Sequence, residues 1–342
     1  MNKKYLTVLS VISSLAVVFL HVNSRIWGYD KTMEWVGANV IECLFYFAVP
    51  VFFMISGATL INYRERYSTA VFAKKRVLKT LIPYIAWTVF YCAMRLLLGM
   101  ESLENAGVLW FINGMLNNRF CDIFWFFTEL FACYLCIPVL SLIPKESRLK
   151  CFKGIAAIGI LTVSVLPTVC YLVGVQYNAS LKLPLIGSGY LLYVIIGYIL
   201  SEGQTGRLQR AVIYLLGACG LATHFLGTVM LSFKNGYIDF TFKGYMNFPC
   251  LLYSVAVFVF FKSVTERLPR VVYAVCSKCA GATFGVYILH YAFLEFYIRP
   301  TEAVNHDHIL FRTVGTVLLF ILCILLTKLI QRIPLIKHLI PS

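Results

Sequence analysis

Seven ionisable side chains stand inside long apolar stretches of this sequence: His21, Glu42, Arg95, Glu129, His224, His290 and Glu295. Burying such groups away from water is costly, so each is a candidate for binding or proton transfer. His21 carries the most weight, because a neutral imidazole can accept a proton near pH 7. Thr7, Ser10 and Ser14 precede it by fourteen, eleven and seven residues, which at helical spacing makes one hydroxyl-bearing face leading to the ring. The plainer reading of that face is that serine and threonine hydroxyls bond the carbonyls of their own helix.

These residues are positioned by elements that lie in lipid. The chain is 60% hydrophobic and only 13% charged, with a mean hydropathy of +0.80. That leaves too little polar surface to cover a water-soluble body of this length. The apolar residues come in blocks of roughly 18 to 23, enough for a helix to cross a hydrocarbon core ~30 Å thick. The alternation that a membrane barrel strand would show is missing. We expect an all-α polytopic bundle of about ten transmembrane helices, near residues 6–23, 39–61, 80–98, 121–143, 154–174, 185–201, 211–231, 248–263, 279–298 and 311–331. One membrane domain, 1–342, is expected to occupy the whole chain. Lys3 and Lys4 give the first block the look of a secretory signal, but no small-residue cleavage site follows it, so it reads as the first span.

With the N-terminus inside, the segments on that side carry 21 of the 30 basic residues. The largest group is Arg64, Arg66, Lys74, Lys75, Arg76 and Lys79. The positive-inside rule then puts both termini in the cytoplasm. The formal charge of +15 points to anionic partners, but a chain this apolar is not a nucleic-acid binder. The twelve cysteines fall mostly in apolar blocks, where a thiol packs as a small hydrophobe. The pairs Cys133 with Cys136 and Cys276 with Cys279 have no accompanying His or second pair, so no metal is expected. The segment from Gly99 to Asp122, with Trp110, Phe111 and Ile112, suggests a re-entrant or interfacial piece.

Threading the spans alternately puts all seven ionisable residues toward the outer half and the densest basic loop on the cytoplasmic side. That asymmetry suits a reaction whose anionic donor docks from the cytoplasm while a polar acceptor arrives from outside. The alternative is that the basic loops only set topology and the outer groups only bind one another.

Several phrases resemble the acyltransferase family 3 of membrane proteins. They are Val17-Val18-Phe19-Leu20-His21, then Val49-Pro50-Val51-Phe52-Phe53-Met54-Ile55-Ser56-Gly57, then Phe72-Ala73-Lys74-Lys75-Arg76 before Ile82-Pro83-Tyr84-Ile85-Ala86-Trp87. Phe124-Trp125-Phe126-Phe127, Tyr134 with Pro138, Gly197-Tyr198 and Phe284-Gly285-Val286-Tyr287-Ile288-Leu289-His290 continue the match nearly end to end. The resemblance implies O-acylation, typically O-acetylation, in polysaccharide modification or on another cell-envelope acceptor at a bacterial plasma membrane. Acetyl-CoA or another acyl-CoA would be the donor, with no bound cofactor. It implies His21 as catalytic base or acyl carrier, and the loop of Arg64, Arg66, Lys74, Lys75, Arg76 and Lys79 as the donor's phosphate contact. Beside it, Glu129 or Glu295 is expected to orient His21 or to bind acceptor hydroxyls, with Glu129 placed in the catalytic set. Glu42, Arg95, His290 and Glu295 are expected on the acceptor side. A homo-oligomer stays open.

The sequence departs from the family pattern where Ser10 and Thr7 stand in place of the usual Arg and Asp. Either another basic residue such as Lys3, Lys4 or one in the loop takes over, or donor handling differs, or catalysis is absent. A transport or small-molecule-binding module is the rival reading, favoured by interrupted helices in matching positions of two halves. The only such hint is Pro184 with Gly187 and Gly189.

Overall fold

The computed structural model describes residues 4–102, 107–181, 189–301, 305–334 and 336–341, and every regular element among them is helical. In chain order these are α1 (Lys4–Val22), α2 (Met33–Glu65), α3 (Thr69–Leu97), α4 (Val108–Leu116), α5 (Asp122–Leu140), α6 (Lys145–Leu172), α7 (Tyr190–Glu202), α8 (Arg207–Asn235), α9 (Phe248–Arg267), α10 (Arg270–Ala280), α11 (Thr283–Ile298) and α12 (Phe311–Ile330). Eight of them are long and apolar enough to cross a membrane, and α10 with α11, bent by 68°, makes a ninth when taken as one span. The sixth expected block corresponds to α7. With 13 residues it is about 20 Å long, short of a full crossing, and nine of the thirteen are buried. Protein rather than lipid surrounds it, which relaxes the length requirement. Pro184 and Gly187 lie outside the described residues. The segment with Trp110 and Phe111 forms α4, a nine-residue helix whose two aromatic rings pack on Phe120.

Burial ranks the helices. In α1, 72% of the spanning window is buried inside the protein, against 22% in α8. The helix carrying His21 is therefore the axis of the bundle, and α8 gives most of its apolar surface to lipid.

Two backbone features shape the walls around α1. Pro50 has no N–H to give the carbonyl of Tyr46 and its ring crowds that carbonyl, so α2 breaks at Tyr46–Phe47. The exposed carbonyls find partners on α9: Cys250 Sγ approaches Tyr46 O at 3.9 Å and the Tyr253 hydroxyl donates to Leu44 O at 3.1 Å. Seven residues past Pro50, at Gly57, α2 crosses α7 backbone to backbone. A Cβ on Gly57 would meet Val194 O at 1.8 Å, and one on Gly197 would meet Met54 O at 2.0 Å. Only glycine fits at either position, which is the small-residue contact by which helices approach closely in lipid.

Contacts between chain ends sort the loops into two groups, as alternating threading requires. On one side, Lys4 meets Glu266 at 4.0 Å, Lys262 caps α7 at Leu200 O and Gly203 O, Arg64 donates to Ser141 Oγ, and Arg148 donates to Asn62 Oδ1. On the other, Asn23 donates to Ala38 O, Arg312 to Asn23 Oδ1, and Tyr29 to Ser232 O. The start of the chain and the basic loop of Arg64 to Lys79 belong to the same side.

Candidate active site

A cavity of about 550 Å³ runs alongside α1. Ser10 and His21, eleven residues and about 16 Å apart along the helix axis, both line it, whereas Thr7 and Ser14 do not. Its far walls come from α2, α5 and α11, chiefly Val49, Phe52, Phe126, Phe127 and Tyr287. One end reaches Trp27 and Glu42, and the other reaches Ser56, Thr80 and Tyr134, on the side of the basic loop. His21 stands between the two ends, in a passage whose walls are mainly apolar and aromatic.

The group that meets His21 is His290. The bend between α10 and α11 is held by Gln331 Nε2, which donates to Gly281 O at 2.8 Å. Ser10 Oγ lies 3.4 Å from Thr283 Oγ1 at the start of α11. This docking brings His290, fully buried two turns further on, against α1. His290 Nε2 lies 3.0 Å from His21 Nδ1, and His290 Nδ1 lies 2.8 Å from Val286 O. A carbonyl can only accept, so the proton of neutral His290 sits on Nδ1, and its Nε2 must accept. His21 then donates from Nδ1, which leaves His21 Nε2 as a free lone pair. The pair is a fixed tautomer ladder ending in a base on the helix that lines the cavity.

The other candidates form separate groups. Glu42 Oε1 pairs with Lys243 Nζ at 3.2 Å, with side chains 3% and 0% exposed. The ammonium also sits over the rings of Tyr46 and Trp27 at 4.8 and 5.7 Å. His224 packs edge-on against Tyr46. Burial and the Glu42 carboxylate push the phenol of Tyr245, which lies outside the spans, well above its usual range, so it stays a neutral donor. Arg95 pairs with Glu295 at 3.0 Å and approaches Glu101 at 3.8 Å, while Arg299 also holds Glu295 at 3.0 Å. Among the described residues neither Glu295 nor Glu129 makes a hydrogen bond to His21. Glu129 is half-buried and makes no hydrogen bond or ion pair among the described residues. It is not among the residues that line the cavity, although Trp125, Phe126, Leu130 and Tyr134 of the same helix are.

The basic loop divides similarly. Arg64 is engaged by Ser141 Oγ at 2.7 Å and Arg66 by Thr59 O at 2.6 Å. Lys75 lies over the Tyr67 ring at 3.9 Å. Lys74 and Lys79 are exposed. Arg76 lies over Phe72 and over Tyr134, a lining residue, at 5.6 and 5.2 Å, with its buried Nε unpartnered among the described residues. Lys4 is drawn to Glu266 and the Tyr273 ring, away from the cavity.

Two participants escaped the sequence reading. Lys243 is one ordinary basic residue in a short polar segment. The Val286 carbonyl is backbone, signalled only by its place four residues before His290 on a helix.

The geometry thus joins an imidazole base, a passage reaching both sides of a helical bundle and a cationic group beside one end. The model of the acyltransferase 3 family, described as an acyltransferase domain, matches residues 3–328. Neither the curated proteins nor the solved structures contain a match to the chain. With nearly its full length matched and a polytopic helical fold, this chain belongs to the acyltransferase 3 family and is a membrane acyltransferase.

Proposed function

We propose that the protein moves an acyl group, acetyl in the simplest case, from cytoplasmic acyl-CoA to a hydroxyl of an extracytoplasmic carbohydrate or other cell-envelope acceptor. The bacterial plasma membrane is the setting, with both termini inside. The observation that carries this reading is the His290–His21 ladder, which leaves His21 Nε2 unprotonated beside the cavity.

In the proposed reaction the thioester enters from the Ser56 end and the acceptor from the Glu42 end. His21 Nε2 takes the acceptor's hydroxyl proton as its oxygen attacks the thioester carbonyl. The C–S bond then breaks, the thiolate leaves with that same proton, and an ester remains on the acceptor. A positioned base contributes typically ~10² to 10⁴-fold, and an apolar passage limits hydrolysis of the thioester by water. Arg76, beside Tyr134 at the donor end, takes over the anion contact that Ser10 cannot make, with Lys74, Lys75 and Lys79 as its exposed neighbours.

Labelled acetyl-CoA and membranes holding an extracytoplasmic glycan test the reading. Wild type should release CoA and label the glycan, whereas His21→Gln, which keeps a hydrogen-bonding side chain but no base, should do neither. Full activity in His21→Gln would remove the imidazole from the chemistry.

A further inference from the structure

The Glu42 end of the cavity has hydrogen-bonding capacity that the protein leaves unused. Glu42 Oε1 faces Lys243, but Glu42 Oε2 is buried without a partner among the described residues. Lys243 Nζ makes no well-formed hydrogen bond there either, although Glu42 lies within ion-pair distance. A buried ion pair is a poor way to stabilise a fold, since desolvating two charges offsets most of their attraction. A half-satisfied pair is worse. Its place on a cavity wall supplies the reason for keeping it.

The surroundings restrict what could complete it. Trp27, Tyr46, Trp125 and Tyr245 line the same end. The rings of Tyr46 and Tyr245 stack with centroids 4.4 Å apart, and Trp125 stacks on Tyr245 at 5.8 Å. A carboxylate oxygen only accepts, so the occupant must donate. An ammonium donor would be placed next to Lys243, which already occupies the cation position over Tyr46 and Trp27. An anionic occupant would face Glu42. A neutral O–H donor meets neither repulsion, and a ring that is polar at its edge and apolar on its face would suit the aromatic wall.

We propose that this end of the cavity is the acceptor subsite, built for an uncharged polyhydroxylated ring: one hydroxyl donates to Glu42 Oε2, the ring face lies on the aromatic wall, and Lys243 positions Glu42 and sets the charge preference. The inference rests on the acyl-transfer reading and deepens it, since it gives the acceptor a charge class and the cavity a specificity device. Lys243 is not on the cavity wall, so it acts through Glu42.

The test uses the full chain in lipid nanodiscs, titrated calorimetrically at pH 6 with the methyl glycosides of glucose, glucuronate and glucosamine. These three probes share a ring and differ in charge. The neutral glycoside should bind at least tenfold more tightly than either charged one, and Glu42→Gln should weaken it at least tenfold. Lys243→Met should shift preference toward the glucosamine glycoside, because it uncovers the Glu42 charge, a change that loss of packing alone would not produce. The double variant Glu42→Gln/Lys243→Met leaves no unpaired charge to upset folding, and it should lose both the affinity and the discrimination. No binding of the neutral glycoside by wild type, equal binding of all three, or undiminished binding by the double variant would overturn the proposal. A separate arm follows CoA release from acetyl-CoA in membranes holding an extracytoplasmic glycan, with no glycoside added. His21-dependent release without glycoside binding would refute only the subsite, and glycoside binding without any release would refute only the acyl transfer.

Discussion

The carbonyl of Val286 and the ring of His21 are joined only through His290, yet that carbonyl decides which nitrogen of His21 carries the proton. It lies 2.8 Å from His290 Nδ1, and His290 Nε2 lies 3.0 Å from His21 Nδ1. Because the carbonyl accepts and never donates, the polarity of both hydrogen bonds is set by the backbone of α11. The base is thus oriented by a helix rather than by a carboxylate.

His290→Phe should leave the Nδ1 proton of His21 without its acceptor and allow the wrong tautomer. We expect kcat to fall by about 10²-fold or more while KM for acyl-CoA stays within about twofold. His290→Gln offers an oxygen to His21 and an amide N–H to Val286, so it should recover part of the loss. Equal falls in both variants, or a rise in KM with kcat unchanged, would show that His290 does not position the base.

Neutralising Arg76 together with Lys74 and Lys75 should weaken acyl-CoA binding more than acceptor binding and reduce its sensitivity to salt, since the donor's charge lies on its phosphates. Arg76→Gln alone should account for most of the effect, because Arg76 is the member of the group beside the cavity-lining Tyr134. Unchanged donor affinity in a correctly inserted triple variant would reduce the loop to a topology signal.

Reporter fusions should put both termini and the loop holding Lys74, Lys75 and Arg76 in the cytoplasm. The prediction rests on 21 of 30 basic residues falling on one side, and on the loop sharing a side with the start of the chain. A periplasmic signal from the loop would end the donor assignment with it.

Gly57→Ala or Gly197→Ala should destabilise the bundle by about 1–3 kcal/mol or more, because the added methyl meets backbone that cannot move aside. Gly37→Ala is the control, with open space around its Cβ. There the same change removes a flexible residue from a helix and should be neutral or stabilising by about 0.5–1 kcal/mol. Thermal transitions in one detergent compare the three, and equal midpoints would deny the close crossing of α2 and α7.

Much of the bundle was legible because lipid enforces it: a helix that must bury its backbone and span ~30 Å writes its length into an apolar block. His21 stood out because titratable groups are rare at that depth. Helix rotation was not legible. α5 is apolar on all sides, so nothing in its sequence says that Phe126, Leu130 and Tyr134 face the cavity and Glu129 does not. The pairing of Glu42 with Lys243 joins residues 201 positions apart, one of them in a loop, and no periodicity reports such a contact. Pro50 and Gly57 were visible as letters, but their effects, a break in one helix and its crossing with another, need the second helix to be seen.

A cavity that extends from Thr80 toward Glu42 along a membrane-spanning helix is also a potential short circuit. If water filled the cavity from Thr80 to Glu42, hydroxyls and imidazoles would form a wire along which protons could run down the gradient that powers the cell. Val17, Leu20, Val49 and Phe52 contribute apolar surface to the cavity wall, and such surfaces give a water chain little to hold. An apolar sleeve that would keep a thioester from hydrolysis in the proposed reaction would act as insulation as well, limiting proton leak along the same passage.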